Sequence, residues 1–172
     1  MARIIRPERT TVFAFGEGED ERVVLKHLRA SFAKGLTEVR VDYAGGKDPN
    51  FIVDKAIRVR GTNVYNHSLI LADNDRAWSG ALTTRATTHH FEVIKSRQTL
   101  ECLMLSILDA SRDYSTLQSE ESKRVFRERH LRHGRALDSR DCLRLFPPQL
   151  LQREMGRIAE LARLIEIVQG NF

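Results

Sequence analysis

Short apolar segments alternate with stretches of helical spacing along the first two thirds of this chain, and that alternation limits what it can fold into. Residues 11–15 (TVFAF), 38–43 (EVRVDY), 67–72 (HSLILA) and 91–94 (FEVI) read as strands. The first two stop at glycine-rich turns, Gly16-Glu17-Gly18 and Gly45-Gly46. Between them, residues 19–33 and 49–60 carry apolar side chains at three- and four-residue spacing, the second with Pro49 at the first helical position. A short helix or loop follows the third strand, and residues 100–108 are apolar enough for a buried helix. Strand–helix alternation of this kind predicts an α/β fold, a roughly four-stranded, mainly parallel sheet covered by helices. Residues 1–112 would form this core. Residues 113–172 would form a basic helical extension packed on it, within a single domain. In the extension, residues 119–131 read as a helix capped by Ser119 and 138–146 as a second. A third starts at Pro147-Pro148 and carries one apolar stripe from Leu151 to Val168.

Ligands of open parallel sheets collect at the carboxyl ends of the strands. Glu17 follows the first strand; Asp73 and Asp75 follow the third, separated only by Asn74. Carboxylates this close repel one another, and a hard cation such as Mg²⁺ or Mn²⁺ relieves the repulsion through oxygen ligands. Glu17 would add a third oxygen donor or a general base, and Glu21 could complete a second metal site. Two Asp and one Glu on neighbouring strand ends suit metal-assisted phosphoryl transfer. The competing structural readings are a turn or cap for Asp73-Asn74-Asp75, and favourable helix-dipole placement for Glu19, Asp20 and Glu21.

The formal net charge of +5 is uneven: residues 123–157 hold ten Lys/Arg against four acids, +6, and the rest sums to −1. Such a basic segment suits a polyanion, with Arg76, Lys123, Arg124, Arg127 and Arg132 as candidate contacts to a nucleic-acid backbone. No run of about 18 apolar residues is present, so no membrane span is expected. MARIIRPERT has no apolar run of the kind a secretory signal needs, so no such signal is expected. Cys102 and Cys142 make no disulfide framework, and a reducing cytoplasm is the expected setting.

Taken together, the motifs resemble those of the Toprim family, and more closely its OLD-type nuclease and RloB-like members. "VFAFGEGEDERVVLKHL" is similar to the first motif, where an apolar strand runs into Glu-Gly-x-x-Glu, here Glu17 to Glu21. "YAGGKDPNFIVDKAI" resembles the second strand and its glycine turn, and "LILADNDR" the Asp-x-Asp motif. "IKSRQTLECLMLSIL" resembles a segment in which a Ser precedes an apolar helix beginning with Glu, here Ser96 and Glu101. The resemblance covers roughly residues 10–130. It implies Mg²⁺ (or Mn²⁺) held by Asp73 and Asp75, with Glu17 as acid/base or ligand and Glu101 as a further ligand. It implies cleavage of phosphodiester bonds in DNA or RNA, a role in bacterial anti-phage defence or restriction, and action beside a partner subunit such as an ATPase. It leaves a homodimer open. The other expectation is a Toprim-like module that keeps the acids but only binds nucleic acid or a partner protein.

Overall fold

A computed structural model describes residues 9–46, 48–75, 77–132 and 135–172. Four parallel strands, β1 (Thr10–Gly16), β2 (Thr37–Tyr43), β3 (His67–Ala72) and β4 (Glu92–Lys95), form one sheet in the order β2-β1-β3-β4. Helices α1 (Glu19–Phe32), α2 (Pro49–Arg60) and α3 (Gly80–Thr88) connect successive strands, and α4 (Leu100–Leu108) follows β4. The chain therefore has the expected α/β architecture, a Rossmann-like parallel sheet with helices on both faces.

Alternation along the central strands assigns those faces. Val12 and Ala14 of β1, with Leu69 and Leu71 of β3, enter a core shared with Leu25 and Leu28 of α1 and Leu100 and Leu103 of α4. Phe13 and Phe15, with Ile70 and Ala72, enter a second core with Ile52, Val53 and Ala56 of α2 and Leu82 and Ala86 of α3. Strands buried on both faces read as unbroken apolar runs, which is why TVFAF and SLILA show little polar alternation.

The C-terminal third is α5 (Ser119–His130), α6 (Ser139–Leu145), α7 (Pro148–Glu154) and α8 (Ala159–Gln169). Two expectations change here. The single long helix from Pro148 is two helices, with a turn at Met155–Gly156–Arg157, where glycine is a poor helix former and Arg157 folds back to pair with buried Glu154. Gln118, not Ser119, takes the N-cap position of α5. The break lets α8 lie against α1, β2 and β4 as part of the layer over the first sheet face. Phe126, Leu151, Leu161, Leu164 and Val168 belong to the same core as Val12 and Leu69, so this third of the chain completes the core. No helix among the described residues is long and apolar enough to cross a membrane.

Candidate metal and phosphate site

From β1 the chain moves one way to β2, and from β2 it crosses back over β1 to β3. The carboxyl ends of β1 and β3 thus flank the switch point of the sheet, where connections diverge and leave a crevice. Glu17 lies at one side of it and Asp73 at the other.

Backbone pairing fixes Glu17 from both neighbours. Its N–H donates to Leu71 O (3.0 Å), and its carbonyl accepts from Gly45 N (3.1 Å) and Gly46 N (2.9 Å). Gly45 and Gly46 reach it with φ of 90° and 67°, conformations that few side-chain-bearing residues adopt. The Glu17 side chain turns toward β3, where Oε2 accepts the Asp73 N–H at 3.1 Å. Asp73 Oδ1 accepts from Leu100 N, at the start of α4, at 2.7 Å and from Ser96 Oγ at 3.0 Å. Both residues are buried. Asp73 therefore takes the first N–H of a helix, but the helix is α4, whose N-cap is Thr99, rather than the α3 that follows it; Ser79 caps α3.

Gly16 brings α1 down onto this point. A Cβ there would stand 2.8 Å from Glu21 Cβ and 3.0 Å from Arg22 N. Glu21 in turn accepts the Gly18 N–H on Oε2 at 2.7 Å. Gly16→Ala is expected to push the first turn of α1 off β1. The cost is about 1–3 kcal/mol of stability, the usual range for overpacking, read as a lowered midpoint in urea unfolding. Gly80→Ala, with open space at its Cβ, serves as the control.

Glu17, Gly18, Glu19, Asp20, Glu21, Gly46, Asp73, Glu101, Lys123 and Arg127 line a single cavity of about 290 Å³. Burial opposes the charged form of four of its acids. Burial first, then the charges of Asp73 and Glu17, raise the Glu21 carboxyl to about 8. Asp73, Asp20 and Glu101 are also raised, chiefly by burial. Lys123 offsets this at all three, and Arg127 does so at Asp20. Lys123 and Arg127, one turn apart on α5, form the basic wall of an otherwise acidic recess.

The expected site is thus gathered in part. Glu17, Glu21, Asp73 and Glu101 meet with Lys123 and Arg127. Asp75 is exposed and outside the lining, near enough for its charge to raise Asp73. Arg124 and Arg132 are exposed and outside it too, Arg124 pairing with Glu128 at 2.9 Å. Arg76 lies outside the described residues. Asp20 and Glu19, read from sequence as helix-dipole acids, are members of the lining. The available signal was their position between Glu17 and Glu21, on a first helical turn that must abut the strand end.

The donors fit Mg²⁺ or Mn²⁺ in kind: all are carboxylate oxygens, and Mg²⁺ commonly takes only one or two of them and keeps its waters. In position they are not converged. No three His, Cys, Asp or Glu side chains among the described residues form a group that could hold a metal ion. Glu17, Glu21 and Asp73 instead accept backbone N–H groups. Fold and site together define a Rossmann-like α/β protein with a carboxylate cavity at its switch point. Comparison with family models, curated proteins and solved structures gives no match for this chain.

Proposed function

We propose that this chain is a Mg²⁺- or Mn²⁺-dependent nuclease of the Toprim type, hydrolysing phosphodiester bonds of DNA or RNA in anti-phage defence or restriction. The supporting observation is the joining of Glu17, Glu21, Asp73 and Glu101 with Lys123 and Arg127 in one cavity at the sheet's switch point. One or two of the cavity carboxylates Asp73, Glu21 and Glu101 would hold a cation, with water completing its shell. When bound, the cation would supply Lewis-acid neutralisation of charge on the phosphate. Glu17, held beside Asp73 by the Asp73 N–H, takes the proton of the attacking water. Lys123 and Arg127 face the acids from α5 and bind the non-bridging phosphate oxygens.

The test is incubation with plasmid, single-stranded DNA and total tRNA, with Mg²⁺ or Mn²⁺ and with excess EDTA, followed by end-group analysis. Products that form with metal and not in EDTA are expected. Cleavage that persists in EDTA overturns the reading. The engagement of Glu17, Glu21 and Asp73 with backbone N–H groups favours a second reading, a module that binds nucleic acid or a partner protein without cutting. Binding of nucleic acid with no products under any metal would select it.

A further inference from the structure

The cavity has an asymmetric mouth, and we infer that it admits an unpaired nucleic-acid strand and rejects an intact duplex. The inference rests on the phosphate-binding reading above and adds the class of substrate. Three observations carry it.

The first is depth. Glu17, Glu21, Asp73 and Glu101 are each no more than 8% exposed, so a phosphate must descend into the recess to meet them. Its volume, about 290 Å³, is just below the roughly 300–1,000 Å³ of small-molecule pockets. The α5 wall is fixed. Phe126 is in the core, Ser122 is fully buried, and Ser122 Oγ is 2.9 Å from Thr99 Oγ1, just ahead of α4.

The second is the sign of the rims. Lys123 and Arg127 stand on the α5 side, while Asp20 and Glu19, the latter paired with Arg22, stand on the α1 side, with exposed Asp75 on the turn after β3. One backbone can follow the basic rim. In B-form DNA the second backbone lies only about 6 Å away across the minor groove, so on the side of the acids it would meet like charge.

The third is the fate of the remaining arginines. Of the ten basic residues in 123–157, Arg124, Arg135, Arg144, Arg153 and Arg157 pair with Glu128, Asp138, Asp141 and Glu154. Arg129, Arg132 and Arg140 are exposed and outside the cavity lining, so Lys123 and Arg127 are the segment's cations that face the acids there.

The experiment compares one sequence as a single strand, a blunt duplex and a duplex with a single-stranded overhang, each as DNA and as RNA. Binding to the Asp73→Asn chain in Mg²⁺ is measured by anisotropy over a salt series, and again with the wild-type chain in Ca²⁺ should that variant not fold. Cutting by the wild-type chain is followed in Mg²⁺ and Mn²⁺. Single strand and overhang are expected to bind about tenfold tighter than blunt duplex, the equivalent of two like-charge pairs at about 6 Å in water. For two phosphate contacts the log–log salt slope is about −1.4, and Arg127→Gln flattens it by about 0.7. Cutting is confined to unpaired nucleotides. Blunt duplex bound or cut as well as single strand overturns the inference while leaving a nuclease in place, and failure to bind any of the three also overturns it. Preferential single-strand binding without products supports it and removes the nuclease reading. Single-stranded DNA and RNA are expected to behave alike, since the contacts are to phosphate alone.

Discussion

Asp73→Asn is expected to reduce Mg²⁺-dependent cleavage by about 10²–10³-fold, the scale of losing a transition-state charge contact, while leaving the cation-free protein as stable as wild type or more so. The two effects have opposite signs because Asp73 does two things. Its Oδ1 accepts from Leu100 N and Ser96 Oγ, and asparagine keeps a carbonyl oxygen for both. Its charge is what the fold resists: burial holds the carboxyl above its usual range, with Asp75 adding to the effect. Removing that charge relieves the folded state and takes away a cation ligand. Asp73→Ala separates the roles, since it also leaves the buried Leu100 N–H without an acceptor, a loss of about 1–3 kcal/mol. Thermal melts in EDTA beside cleavage in Mg²⁺ check the pair. An Asp73→Asn chain that cuts at the wild-type rate would place the chemistry elsewhere.

The topology was legible because its determinants are local. Strands buried on both faces must be apolar throughout, and Gly16, Gly18, Gly45 and Gly46 mark where β1 and β2 stop. The same logic places Glu17 and Asp73 on one rim. What the sequence does not carry is side-chain direction after a strand ends. Asp73 turns inward because Leu100 N and Ser96 Oγ await it, whereas Asp75, two residues on, faces solvent. Asp20 and Glu101 look like ordinary first-turn acids until the helices are docked at the same crevice. Lys123 and Arg127 differ from Arg124 only by their angle around α5, which is set by Phe126 and Ser122 entering the core. The helix break before α8 was hidden because the apolar positions on either side of Gly156 keep helical spacing across it.

The second large effect is a pH dependence that a divalent cation should reverse. Glu21 ionises near its ordinary 4.5 in the unfolded chain and at about 8 in the fold, because it is buried beside Asp73 and Glu17. Between these values the folded protein retains a proton that the unfolded chain has released. Stability of the cation-free protein therefore falls as pH rises through that window, by at most about 1.4 kcal/mol per pH unit from this one group, and levels off above it. Asp20, Asp73 and Glu101 are shifted the same way and add to the slope. Glu21→Gln keeps an oxygen for the Gly18 N–H and removes the ionisation, so its denaturation midpoint should vary less with pH and exceed that of wild type at about pH 8. A cation that binds only the folded chain stabilises it by mass action, and below the shifted value it must displace a proton to do so. Stabilisation by Mg²⁺ is thus expected to be small at about pH 5 and to grow toward pH 8 in the wild-type chain. Parallel profiles for wild type and Glu21→Gln would mean that Glu21 does not carry the slope, and a Mg²⁺ effect independent of pH would mean that the cavity's acids are not the groups that meet the ion.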